Sequence, residues 1–152
     1  MTPGNPTILI IEDGDEYLNN LSRFVEGPQY IQAKNGADAA RRLRQGNVDL
    51  IYLDMRFDRI ALSDLMGDHS KAAFERGGDE QAAWKHLQIN QGLFILHELK
   101  KAGFANIPVI LAYDFSREPQ RFVNLKKQYP KLRWVSDAVT ADEIRKMIED
   151  LC

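Results

Sequence analysis

Two short apolar runs that end in acids restrict the folds open to this chain more than any other feature. Val48 to Asp58 reads VDLIYLDMRFD, and Thr7 to Asp13 reads TILIIED. Both are short, rich in β-branched residues and nearly continuous, which suits strands covered on both faces inside a parallel sheet. One run breaks off at Asp54 and the other at Glu12 and Asp13. In open α/β sheets, ligands bind in the crevice beyond the carboxyl ends of the strands. A lone acid after a strand is usually a solvated end. Carboxylates delivered to one edge by two strands make a candidate reactive site.

The rest of the chain alternates strand and helix. After the first strand, Gly14-Asp15-Glu16 leads into a helical pattern with Tyr17, Leu18, Leu21 and Val25 on one face, stopped by Gly27-Pro28. Tyr30 to Lys34 reads as a strand, Asn35-Gly36 as a turn, and Ala37 to Arg44 as an alanine-rich helix closed by Gly46. The strand Asp49 to Asp54 follows. Further on, Leu93 to Lys101 is helical, Ile107 to Tyr113 (IPVILAY) is a buried-type strand, and Pro119 opens a helix to about Tyr129. Leu132 to Val135 is the last strand. Thr140 and Glu143 form a capping box for a helix reaching Leu151. This alternation predicts a doubly wound α/β parallel sheet of five strands in a single domain over residues 1–152.

Between Phe57 and Gly92 no strand pattern appears, far more chain than the usual strand-to-helix loop of about 2–6 residues. Leu62, Leu65 and Met66 form one short apolar face, and Ala82, Ala83, Trp84 and Leu87 another. With Phe74 added, this is too apolar for a disordered linker. The expectation is an ordered, largely helical insertion at about 58–90 that lies over the acidic edge and offers a binding surface.

The formal charge of −2 gives no electrostatic case for nucleic acid or an anionic membrane. No run has the length of a membrane span, and Ile8 to Ile11 lacks the basic flank of a signal peptide. The only cysteine is Cys152, so no disulfide or cysteine metal site forms within the chain, and the expected setting is cytoplasmic. Asp64, Asp68, His69 and Glu75 match no ligand spacing and read as solvated. So does the basic run Lys126, Lys127, Lys131 and Arg133.

Taken together, ILIIED, AKNGADAARRL, DLIYLDM, QGLFILHELKKAG and IPVILAY resemble a response-regulator receiver domain, the CheY-like phosphoacceptor module of two-component signalling. The resemblance covers nearly the whole chain apart from the insertion. It implies the flavodoxin-like strand order 2-1-3-4-5 with a site at its switch point. It further implies that Asp54 is the phosphoacceptor and that Glu12, Asp13 and the backbone carbonyl of Arg56 join Asp54 in holding Mg²⁺. A hard cation is what allows a carboxylate to attack a phosphoryl group, since it offsets the charge on both. The implied partners are a histidine kinase or phosphotransfer protein and a downstream protein, with a homodimer among the possible states. Catalysis would be limited to self-catalysed phosphoryl transfer to and from Asp54.

Three positions depart from the family pattern. The hydroxyl residue expected after the fourth strand falls at Tyr113, and the lysine expected after the fifth falls at Ser136, followed by Asp137. The switch aromatic falls at Arg133, beside Trp134. Without the lysine, crowded carboxylates raise one another's pKa unless a cation intervenes, and Arg56 and Arg59 are the near candidates. The intact acids point to a stand-alone, phosphorylatable but atypical receiver, which is the reading adopted from sequence. Tyr113 and Ser136 point to the alternative, a phosphorylation-independent pseudo-receiver in which an arginine takes the cation's place.

Overall fold

A computed structural model describes residues 5–152. Its centre is a parallel sheet of β1 (Thr7–Ile11), β2 (Gln29–Ala33), β3 (Leu50–Asp54), β4 (Val109–Ala112) and β5 (Leu132–Val135), in the order β2-β1-β3-β4-β5. Side chains alternate across a strand, and the near-continuous apolar runs are explained by both faces being covered. Ile8, Ile10, Leu50, Tyr52 and Ile110 pack on one face with α1 (Glu16–Phe24) and α7 (Ala141–Leu151). Leu9, Ile11, Ile51, Leu53 and Leu111 pack on the other with α2 (Gly36–Gln45), α5 (Gln91–Lys101) and α6 (Pro119–Gln128).

Element ends shift from the sequence expectation for local reasons. The expected strand over residues 107–113 shortens to Val109–Ala112. Pro108 has no N–H to give a ladder, and the Tyr113 N–H turns back to Leu111 O at 3.0 Å. Thr140 is the N-cap of α7, its Oγ1 accepting from the Glu143 N–H at 3.1 Å. Asn35 caps α2 in the same way, through the Asp38 N–H at 2.8 Å. No helix among the described residues is long and apolar enough to cross a membrane.

The insertion is largely helical. It contains a 3-10 turn (Leu62–Asp64), α3 (His69–Glu75) and α4 (Glu80–Ile89). Asp68 and Asp79 cap α3 and α4, each accepting a backbone N–H at 3.0 Å. The two helices pair through Ala72, Ala73, Ala83 and Leu87, with Leu65, Trp84 and Phe94 against them. Trp84 stacks on His69 at 3.8 Å between ring centroids. Leu65 and Met66 also reach the main core, whereas Leu62 and Phe74 stay exposed.

The far end of the insertion is tied to the residues that follow β3. The Phe57 N–H donates to Gln88 O at 2.9 Å, and the Gly92 N–H to Met55 O at 2.8 Å. At Gly92 a Cβ would overlap the Asp54 carbonyl oxygen and come within 2.9 Å of Met55 Cα, so a residue without a side chain lets α5 start directly against the strand end. Gln91, fully buried, holds the insertion from inside. Its Oε1 accepts the Met66 N–H at 2.7 Å, and its Nε2 donates to the carbonyls of Met66 and Leu87, both at 3.0 Å.

Candidate functional site

The carboxyl ends of β1 and β3 bring Glu12, Asp13 and Asp54 to one edge of the sheet, but each acid has a different environment. Glu12 is 1% exposed. It faces the start of α1 and accepts the N–H groups of Tyr17 (3.1 Å) and Leu18 (2.9 Å), with Gln32 Nε2 at 3.3 Å. Free N–H groups at a helix start are ready partners for a carboxylate. Burial raises the pKa of Glu12, and these hydrogen bonds only partly oppose the rise.

Asp13 is held by the first residues of the insertion. One carboxylate oxygen accepts the backbone N–H groups of Asp58 and Arg59, both at 3.0 Å. The other accepts Arg59 Nη2 at 3.0 Å. The same guanidinium grips Glu16, with Nη1 at 2.6 Å and Nη2 at 3.1 Å from its two oxygens. This fork holds the Glu16 carboxyl down at about 2 and raises the pKa of Arg59 itself. Gly14 makes the geometry possible, because a Cβ there would collide with both terminal nitrogens of Arg59 and with Glu16. Of the two arginines singled out from sequence, Arg59 meets the acids. Arg56 instead pairs at the surface with Asp58 at 2.9 Å.

Asp54 is left without such a partner. Its Oδ1 accepts the Met55 N–H at 2.9 Å, and no ion pair reaches it among the described residues. Burial, with Asp13 and Glu12 adding repulsion, pushes its carboxyl up to about 7 against the pull of the Met55 and Arg56 backbone N–H groups.

Glu12 and Asp13 therefore spend their oxygens on backbone N–H groups, Gln32 and Arg59. A guanidinium lies where a divalent cation would need those lone pairs. No group of three or more potential metal ligands among the described residues is arranged to hold an ion. So arranged, these residues do not fit Mg²⁺.

Two of the divergent positions, Tyr113 and Ser136, lie at the same end of the sheet. Tyr113, just past β4, donates its hydroxyl to Glu118 at the start of α6, which raises the tyrosine's pKa and lowers that of the glutamate. Arg121 binds Glu118 Oε1 at 3.2 Å and Asn90 Oδ1 at 2.9 Å, and lies over the Tyr113 ring. This chain ties β4, α6 and the end of the insertion together. The fully buried Phe115 lies 4.7 Å from the Tyr113 ring and 6.0 Å from Trp134, and Phe122 closes the cluster. Arg133 is half-buried on β5 opposite Ile110. Ser136 follows β5, its hydroxyl accepting the Ala138 N–H at 3.2 Å.

Sequence reasoning missed Gln91 and the Tyr113–Glu118–Arg121–Asn90 chain. The five-residue step from Tyr113 to Glu118 was a readable signal, whereas nothing in the sequence marks Gln91 as a clamp. The other polar candidates stay apart. Asp68 is a helix cap, His69 stacks on Trp84 and Glu75 is exposed. His97 is exposed and His86 half-buried.

No family model matches the chain, and no curated protein matches it. Solved structures do. The receiver domain of the Francisella response regulator 1452 superposes with a TM-score of 0.63 at 17% identity, covering 97% of this chain and 96% of that one. A response regulator receiver domain protein from Clostridium thermocellum gives 0.62 at 17% identity, over 96% and 93% of the two chains. The receiver domain of a signal transduction histidine kinase from Syntrophus aciditrophicus gives 0.62 at 20% identity, over 96% and 89%. The chain thus has the fold of response-regulator receiver domains.

Proposed function

We propose that this chain is a pseudo-receiver. It signals by binding a downstream protein and does not depend on phosphoryl transfer to Asp54. The observation that carries this reading is the Arg59 fork on Asp13 and Glu16, laid across Gly14. It puts a permanent positive charge where the phosphorylation chemistry would need a removable one. The tethered Tyr113 and the packed Trp134 support the same reading. A switch needs two arrangements of its elements, and these contacts favour one.

Under this reading no histidine kinase is needed as a partner, the module is not an enzyme, and its setting is the cytoplasm. The other reading, a phosphoacceptor Asp54 served by Mg²⁺ and a histidine kinase or phosphotransfer protein, draws on the fact that no ion pair reaches Asp54 among the described residues.

Melting curves with and without millimolar Mg²⁺ separate the two. Ligand linkage raises the melting temperature of any protein that binds the ion only when folded. The pseudo-receiver reading expects no rise in the wild type. A rise that Asp13→Ala abolishes would replace it with the phosphoacceptor reading.

A further inference from the structure

Beside the acidic edge, on the sheet face covered by α1 and α7, lies an open groove of about 400 Å³. That volume is within the ~300–1,000 Å³ usual for small-molecule sites. Its floor is apolar, formed by Tyr52, Ala112 and Val135 from three strands, with Leu21 and Ile144 from the flanking helices. Tyr17 and Tyr52 stand together in it, ring centroids 5.2 Å apart and tilted by 59°. At the rim, Phe24 is 54% exposed.

The groove is acidic at the Asp137 end, while at the opposite rim Arg23 lies over the Phe24 ring, 5.2 Å from its centroid. No lysine, arginine or histidine lines it, and its single carboxyl-bearing lining residue is Asp137. Asp54 lies near the same end, opposite Ala112 in the sheet, but outside the lining. Both acids bear on the Tyr17 and Tyr52 hydroxyls, which burial has already made harder to ionise.

An apolar floor with electron-rich ring faces and an uncompensated negative end matches a cation that carries a hydrocarbon body. A neutral ligand would gain nothing from Asp137, and an anion would be repelled by it. Aromatic faces and nearby carboxylates both attract ammonium groups.

We propose that this groove binds a small organic ammonium ion, its apolar body against Tyr52 and Leu21 and its charged head beside Tyr17 and Asp137. The site is independent of whether Asp54 accepts phosphate. Its occupant would stiffen the contact between α1 and α7 and so tune the module from the face opposite α5 and α6.

The test uses the full chain and three probes of one shape: 2-phenylethylammonium, 2-phenylethanol and 3-phenylpropionate. Amide and aromatic NMR shifts are followed through titration at neutral pH. The ammonium should move Tyr17, Tyr52 and Ser136 signals and bind at least about tenfold more tightly than the alcohol. The carboxylate should not bind. Asp137 is exposed, so Asp137→Asn keeps the fold and should weaken ammonium binding about tenfold while leaving the alcohol unchanged. Val139→Phe, which fills the groove, should abolish both. Equal affinity for alcohol and ammonium, shifts that map outside the groove, no binding of any probe, or an Asp137→Asn variant that binds the ammonium as well as the wild type would each overturn the assignment.

Discussion

The half-buried carboxyl of Asp54 has a thermodynamic signature that can be measured directly. Its carboxyl rises from an ordinary 3.8 to about 7, so the folded chain holds this proton more tightly than the unfolded one. Between those two values the folded state carries the extra proton, and stability falls as pH rises. The contribution is complete below 3.8, is lost progressively across the window and is gone above about 7. At ~1.4 kcal/mol for each tenfold change in proton affinity, the full displacement corresponds to about 4 kcal/mol. Partial solvent contact reduces this to about 2–3 kcal/mol. Asp54→Asn keeps the shape and the Met55 N–H partner but carries no charge at any pH. It should melt roughly 5–10 °C above the wild type at pH 8 in EDTA, given ~2–4 °C per kcal/mol for a chain of this size. At pH 4 the two curves should nearly coincide. The assay is a set of melting curves between those limits, paired with a carboxyl-carbon NMR titration of Asp54. A difference that does not change with pH, or a wild type that is the more stable partner at pH 8, would refute the reasoning and mean that a cation already reaches Asp54.

Three further outcomes follow from particular contacts. Gln91→Leu strips partners from the Met66 N–H and carbonyl, at about 1–3 kcal/mol for each polar group left unsatisfied. Water reaches the half-buried Met66, so a total loss of about 2–3 kcal/mol is expected in chemical denaturation, with faster hydrogen exchange at the Met66 amide. Arg59→Gln should let the Glu16 carboxyl climb from about 2 toward 4.5, read by NMR titration, and an unmoved Glu16 would mean that some other group holds it down. Trp84→Ala removes a half-buried ring stacked on His69 and should cost less than the ~3–5 kcal/mol of a buried aromatic. A cost of about 1–3 kcal/mol in denaturation is the expected result, and none at all would mean that the insertion contributes little to stability.

The fold was legible because its signals are local. Ile8 to Ile11 and Leu50 to Leu53 declare two-sided burial by their continuity, and Thr140 with Glu143 declares a helix start. The insertion's helical character could also be read, from Ala83 and Leu87, one turn apart on the buried face of α4. Which apolar residues turn inward could not. Phe74 and Trp84 are similar aromatics in sequence, yet Phe74 is 85% exposed while Trp84 is half-buried. The three acids were identified from strand ends, but their states depend on contacts made across long stretches of chain. Asp13 is closed by Asp58 and Arg59, 45 and 46 residues away. The sequence named Arg56 and Arg59 as equals. The path of the backbone after Phe57 chose between them, and Gly14 left the room.

Arg59 holds Asp13 and Glu16, and under the proposed reading this keeps metal, and with it the phosphoryl group, from the acidic edge. The most direct measurement follows backbone amide NMR shifts as Mg²⁺ and then beryllofluoride, a phosphoryl mimic, are added. The account expects the signals of Asp13, Asp54, Arg56 and Tyr113 to stay in place in the wild type. Saturable shifts at Asp13, Asp54 and Arg56 on adding Mg²⁺, followed by movement of Tyr113 and Trp134 with beryllofluoride, would contradict it.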